Sequence, residues 1–280
     1  QTMSAYRNVL SVVVAGLMAC GAGRGADCLQ WRVNVGVGPP ACAYAGMAYD
    51  AARLRTVWVG GYGQNPVFQV WEWDGLQWQN KTAGAPAEFG RVPGLVYDSA
   101  RSVCVFFSTT GATREYDGTT WVHRNIPGPP ARIVAHMAYD SARGQTVLFG
   151  GASGSAVFGD TWTYDGTSWT QRFPANAPSA RTAGAMAFDS ARGVVVLHGG
   201  VINSPQSATN ETWEWDGTTW RLASVAGPTR FGHRAVYDTQ AGLTMILEGT
   251  MGSVSLPSDG QVWGWDGANW RYLGASNLPG

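Results

Sequence analysis

Two aspartate-led phrases recur five times along this chain and restrict what it can fold into. The first opens with Asp50, Asp98, Asp140, Asp189 and Asp238, spaced 42 to 49 residues apart. The second is Asp-Gly with a tryptophan four residues after the aspartate. It pairs Asp74 with Trp78, Asp117 with Trp121, Asp165 with Trp169, Asp216 with Trp220 and Asp266 with Trp270. Self-similarity at a period near fifty residues implies a repeat architecture.

Each repeat reads as four short strands. The first ends at the opening aspartate, as in Ala135 to Tyr139, and a turn such as Asp140-Ser141-Ala142-Arg143-Gly144 follows. Side-chain oxygens and glycine supply the chemistry of a tight turn there. The second strand is an almost unbroken apolar run, such as Thr146 to Phe149, which implies burial on both faces. The third carries aromatics two apart (Trp71 and Trp73, Trp213 and Trp215, Trp263 and Trp265), so both point to one face. Asp-Gly then makes a hairpin turn into a fourth strand that begins at the spaced tryptophan. Thirteen of the 14 tryptophans fall in this outer half of the repeat, which makes them core between sheets. A four-stranded unit that is apolar on both faces cannot stand alone. Arranged radially, five such units cover one another, which predicts an all-β fold, a β-propeller of four-stranded antiparallel blades.

These residues resemble the Kelch-repeat family of propellers, the group that includes galactose-oxidase-like proteins. The resemblance rests on the double glycine after the second strand (Gly60-Gly61, Gly150-Gly151, Gly199-Gly200) and on an aromatic near Asp-Gly with its spaced tryptophan (Trp78, Trp121, Trp169, Trp220, Trp270). It rests also on the arginine ahead of the first strand at Arg132, Arg181 and Arg230. It covers the chain from about Trp31 onward. Repeat two departs from it, with Ser108-Thr109 for the glycines and Arg114 for the first aromatic, and repeat five keeps only Gly249 of the pair and lacks the turn arginine.

The spacings locate the variable part. Opening aspartate to the second glycine position is 11 residues in every repeat, and tryptophan to the next opening aspartate is 18 to 20. Only the connection between strands two and three varies: 13, 8, 14, 16 and 17 residues from glycine position to Asp-Gly. In an up-and-down sheet, the loops after strands two and four leave on one face, so a binding site is expected there. Trp31 lies 19 residues before Asp50, the fourth-strand spacing, so Leu29 to Val35 reads as a fourth strand without its first three. This predicts either a six-bladed ring whose remaining strands lie beyond Gly280, or five blades with an extra edge strand.

Arg132, Arg181 and Arg230 each stand eight residues before an opening aspartate, and Arg91 seven before its own. In a propeller they would gather at the channel mouth. There they would either bind a carboxylate, sulfate or acidic peptide or brace strand-end carbonyls of the next blade. Cys42 takes that place in the first repeat. His136, His233 and Arg234 fall on first strands and are candidates to line the channel, whereas His198, at the end of a second strand, reads as a packed histidine. Four scattered histidines without carboxylates at ligand spacing give no metal site and no cofactor. The histidine and tyrosine set of copper-containing relatives has no counterpart, because no Tyr-His pair exists. Asp-Gly-x-x-Trp also resembles the Asp-box of sialidases, with spacing different by one. Asp-x-x-Arg at Asp98 and Arg101, Asp140 and Arg143, and Asp189 and Arg192 reads as an exposed turn-local ion pair, worth about 0–1 kcal/mol.

Residues 1–27 read as an export segment and 28–280 as the propeller. Arg7 precedes an apolar run, Val9 to Ala19, too short to span a bilayer and suited to a secretory signal. Leu17-Met18-Ala19-Cys20 resembles a lipoprotein cleavage box, leaving two outcomes: a lipid anchor at Cys20, or cleavage and release. Cys28 and Cys42 flank the first mature strand and could oxidise to a disulfide in an exported chain, and Cys104 reads as a buried hydrophobe. Charges cancel at 19 against 19, so no overall field draws nucleic acid or an anionic membrane. The leading expectation is an exported binding scaffold for a protein or glycan partner. A carbohydrate-active enzyme, of the sugar mutarotase or copper oxidase type that the resemblance implies, and a structural module of a larger surface protein stand beside it.

Overall fold

A computed structural model describes residues 37–40, 45–60, 69–85, 94–202, 207–247, 249 and 260–275. The segment read as an export signal, the strand proposed at Leu29 to Val35, Gly61, Arg91, Cys20, Cys28 and Cys42 lie outside them. Among the described residues there are five four-stranded antiparallel sheets and no helix. Sheet 1 comprises Gly46–Asp50, Arg55–Val59, Val70–Trp73 and Trp78–Asn80. Sheet 2 comprises Gly94–Asp98, Val103–Phe107, Thr113–Tyr116 and Trp121–Arg124. Sheet 3 comprises His136–Asp140, Gln145–Phe149, Thr161–Tyr164 and Trp169–Arg172. Sheet 4 comprises Ala185–Asp189, Val194–His198, Thr212–Trp215 and Trp220–Ser224. Sheet 5 comprises Arg234–Asp238, Leu243–Leu247, Gln261–Trp265 and Trp270–Ala275. In each, strands are neighbours in chain order, and the first strand of each sheet lies against the first strand of the next.

The first strand includes its closing aspartate, one residue further than expected, because Asp140 pairs with Gln145 and Asp50 with Arg55 across the turn. The aspartate also nucleates that turn. Asp140 Oδ1 accepts from the amides of Ala142 and Arg143 at 3.1 and 3.2 Å, and Asp50, Asp98 and Asp189 do the same with their own turn amides. Second strands are buried almost throughout, as a sheet covered on both sides requires. Hydrophobic clusters sit between sheets 1 and 2, 2 and 3, and 3 and 4, and a further one, of Trp58, Trp71 and Trp78, lies on one face of sheet 1. Tryptophans divide by position. Trp169, Trp215, Trp220 and Trp265 are buried, whereas Trp162, Trp213 and Trp263, at the loop end of the third strands, are half-buried.

The seam between sheets is polar as well as apolar, and it corrects the reading of Asp-x-x-Arg as an exposed local pair. The aspartates are buried, at 1 to 2% exposure for Asp50, Asp98, Asp140 and Asp189. Arg53 bonds Asp50 at 2.6 Å and also reaches Glu72 on its own third strand at 2.7 Å, and Arg192 joins Asp189 to Glu214 in the same way. Each turn arginine then covers the Asp-Gly turn of the following sheet: Arg53 lies against Gly118, Arg101 against Gly166, Arg143 against Gly217 and Arg192 against Gly267. Any Cβ at those glycines would meet the guanidinium. The third-strand glutamate completes the link by accepting from the next sheet, Glu115 from Tyr164 Oη at 2.8 Å and Glu214 from Trp265 Nε1 at 2.9 Å. A further bond runs from three fourth-strand indoles to the preceding sheet: Trp169 to Thr113, Trp220 to Thr161 and Trp270 to Thr212, at 2.8 to 2.9 Å. Sequence spacing alone shows none of these partners, because they lie about fifty residues apart.

The double glycine has two separate causes. Gly150 and Gly151 both have positive φ, 69° and 98°. A Cβ on Gly150 would also stand 2.5 Å from the carbonyl oxygen of Arg181, at the approach to the next sheet. In repeat two, Ser108 replaces the first glycine and its hydroxyl accepts from the amides of Thr110 and Ala112, which closes a shorter turn with Gly111 at φ 86°. Gly144 shares the conformation of Gly150 (φ 63°) but has nothing within 4 Å. Gly144→Ala is therefore expected to cost only backbone strain, about 1–2 kcal/mol, and Gly150→Ala substantially more. Urea midpoints of the two variants measure the difference; equal losses would show that close approach at Gly150 does not matter.

Candidate functional site

The variable connections between strands two and three are themselves built of short strands. In sheet 3 the connection folds into a hairpin, Ala152–Ser153 with Ala156–Val157, and Ala152 also exchanges two backbone bonds with Ile133. In sheet 4, Val201–Ile202 pairs with Ser207–Ala208 on one side and with Arg181–Thr182 on the other. Each loop is thus stitched to the segment that leads into the first strand of its own sheet. The side chains from Ser153 to Ala156 remain exposed. The third long loop, 250–259, lies outside the described residues.

Beneath these loops lie the three lead-in arginines, and all three are buried, at 0 to 1% exposure. Arg132 forms a two-pronged pair with Asp160 at 2.6 and 2.9 Å, donates to the carbonyls of Pro130 and Gly150, and stacks over Phe158 at 4.1 Å. Arg181 donates to Glu211 at 2.5 Å, to Ser179 and to the carbonyl of Gly199. Arg230 donates to Gln261 Oε1 at 3.0 Å. The same acceptor takes a bond from the indole two residues on, where Trp162 donates to Asp160, Trp213 to Glu211 and Trp263 to Gln261. Trp71 bonds Gln69 likewise in sheet 1. Burial alone would raise the Asp160 and Glu211 pKa values, but the bonds from arginine and indole hold both below the usual carboxylate range. Of the two roles set out for these arginines, bracing is the one that has its partners in place. The side-chain partners are carboxylates, an amide and carbonyls on the arginine's own repeat, while backbone bonds tie its main chain to the sheet before, as from the Gly151 amide to the Arg181 carbonyl and from the Arg181 amide to the Phe158 carbonyl. Sequence reasoning missed Asp160, Glu211 and Gln261; the available signal was an oxygen-bearing side chain two residues before the aromatic.

His136, His198 and His233 are buried too, whereas His123 is exposed. His198 and His233 meet edge to face with ring centres 5.4 Å apart. His198 is held by Thr212 Oγ1 at 3.0 Å and the carbonyl of Pro228 at 2.9 Å, against the ring of Trp270. Burial, then the guanidinium of Arg181, takes His136 down to about 3. Burial takes His198 down to about 4, and burial with the neighbouring rings of His198 and His136 takes His233 well below its usual value. All three are neutral at pH 7. Arg234 alone of the six candidates is exposed, and its Nη2 donates to the carbonyl of Ala45 at 3.0 Å. Cys104 is buried, with its thiol pushed up to about 12 by burial. Among the described residues no group of three or more histidine, cysteine or acidic side chains is placed to hold a metal. A surface groove of about 640 Å³ lies elsewhere, at the outer edge of sheets 3 and 4, between Asn176 and Trp213. No protein-family model matches the chain, and no curated protein matches it.

Two outcomes follow from this geometry. Arg132→Ala leaves Asp160 without its cation and is expected to lower unfolding stability by about 3–5 kcal/mol; wild-type stability in urea would mean that Arg132 does not brace the loop. The histidines give a pH dependence. Their folded pKa values lie below the unfolded 6.5, so between about pH 6.5 and 4 the unfolded chain binds more protons and stability falls with pH. Each ring contributes up to about 1.4 kcal/mol per pH unit in that window. Asp160 and Glu211, with lowered values, lose their contribution only in more acid solution. His136→Gln should flatten the slope by about a third, read from urea unfolding at pH 7 and pH 5.

Proposed function

We propose that this chain is an exported β-propeller of the Kelch-repeat type that works as a binding scaffold, with its ligand, a protein or a glycan, held by the loops between strands two and three. Five similar sheets stacked in chain order, first strand to first strand, support the radial arrangement, as does the bond from Arg234 to Ala45 between the last and the first sheet. Export rests on the apolar run Val9 to Ala19.

One observation carries the binding role. The loops at 152–159 and 201–210 differ in length and sequence, yet each is fixed to its sheet by paired backbone and by a buried arginine–carboxylate bond beneath it. Fixing a loop in advance removes the ordering cost that binding would otherwise meet. Exposed side chains from Ser153 to Ala156, on a base held by paired backbone, suit recognition by shape.

The test is a glycan array together with a display library of folded domains, probed first with the wild-type chain and then with variants. Replacing residues 152–159, 201–210 and 250–260 with the short loop of repeat two is expected to abolish any selected interaction while the chain still unfolds in one cooperative transition. Capture that survives all three replacements would remove the loops as the binding surface.

A further inference from the structure

The third and fourth strands of each sheet are joined by the same Asp-Gly turn, so one peptide recurs in five surroundings. Gly75, Gly118, Gly166, Gly217 and Gly267 share a backbone conformation, with φ between 94 and 99°. Four of them lie under the turn arginine of the sheet before: Arg53, Arg101, Arg143 and Arg192 in order. Gly166 is buried, and Gly118, Gly217 and Gly267 are half-buried. Gly75 is exposed, with nothing within 4 Å where a side chain would begin. A sixth pair, Asp259–Gly260, has its aspartate outside the described residues.

The five aspartates differ in a parallel way. Each accepts from the amides two and three residues on. Asp117 accepts also from the hydroxyls of Thr119 and Thr120, Asp165 from those of Thr167 and Ser168, and Asp216 from that of Thr218. Asp266, followed by Ala268 and Asn269, has the Arg271 guanidinium at 2.6 Å instead. Asp74, followed by Leu76 and Gln77, has a 3.3 Å bond from the side-chain amide of Gln79. Donors on a carboxylate favour its ionised form, and short or charged ones do so most. Asp74 is thus the least clasped of the five, and its glycine the least covered.

We propose that Asp74–Gly75 is a modification site, where aspartate converts to isoaspartate by way of a succinimide, and that the seams protect the matching peptides of sheets 2 to 5. The reaction needs a neutral carboxyl, a peptide nitrogen with no side chain beside it, and room for the turn to move. The Gly75 nitrogen bonds to Asp74 Cγ while the carboxyl hydroxyl departs, taking the amide hydrogen with it as water. Water then adds at the main-chain carbonyl of the ring, and the bond from that carbonyl to nitrogen breaks. The chain now continues through Asp74 Cβ and Cγ. One water leaves and one returns, so no oxidant or other co-reactant enters. The product backbone is longer by one carbon. Under a guanidinium there is no space for it, since even a single Cβ on Gly118, Gly166, Gly217 or Gly267 would collide. At Gly75 the space is open. The inference is independent of what the loops bind.

Prolonged warming of the folded chain in mildly acid buffer, followed by peptide mapping with electron-transfer fragmentation, tests it. Isoaspartate at Asp74 should exceed that at Asp117, Asp165, Asp216 and Asp266 several-fold. The same treatment in urea, where no seam remains, should bring the five to similar levels. Similar levels in the folded chain, or an excess at Asp74 that persists in urea, would overturn the proposal. Two variants probe the protection itself. Arg143→Ala removes the cover from Gly217 at the cost of a bond to Asp140 and one to the Gly193 carbonyl, and should raise isoaspartate at Asp216 several-fold. No rise in the folded variant would count against shielding by the seam. Leu76→Thr, at a side chain 87% exposed, leaves the fold alone and restores a hydroxyl beside Asp74. It should slow conversion there several-fold, and an unchanged rate would refute the part assigned to the carboxylate's donors.

Discussion

Taking carboxylates and guanidinium groups out of water is costly unless every oxygen and nitrogen finds a partner. The seams of this protein are arranged to meet that demand. Glu214 shows how. It sits buried on a third strand and accepts from Arg192 on one side, from Arg221 on another, and from the indole of Trp265 in the following sheet. No one sheet could satisfy it. The apolar clusters hold neighbouring sheets together without preference for angle, and the polar bonds fix the register at which they meet.

The loop side repeats the principle with other residues. Arg132 and Arg181 are as deeply buried as any core side chain, and their carboxylates are shared with the indoles of Trp162 and Trp213. An arginine, an acceptor and an indole thus form a unit at the root of each long loop. Sheet 2 has Ala112 and Arg114 where the acceptor and indole would be, and it also has the shortest connection. A loop of that length needs no such support, since Ser108 closes it locally.

The sheets, their order and the placement of the long loops could be read from the sequence, because hydrophobic alternation and Asp-Gly turns are local signals. The turn aspartates could be read as turn formers, but not as buried groups. Burial there comes from the next repeat, and Gly118 or Gly166 gives no sign by itself of lying under an arginine. The lead-in arginines could be located but not assigned. Their acceptors stand 28 to 31 residues onward and change identity among Asp160, Glu211 and Gln261. The depressed histidines were legible only as positions, since their neutrality comes from depth in the fold and, for His136, from the guanidinium of Arg181 brought near it.

The glycine under each turn arginine carries a directional instruction. Sheets 1 to 4 each offer an arginine forward and sheets 2 to 5 a bare turn backward, so the contact cannot be made in reverse. Sheet 5, with Ala241 in place of the arginine, has the socket without the plug. The sheets are therefore not interchangeable tiles. Shuffling them would set plug against plug, so duplication of a repeat would be tolerated only where it preserves the head-to-tail sense of the row.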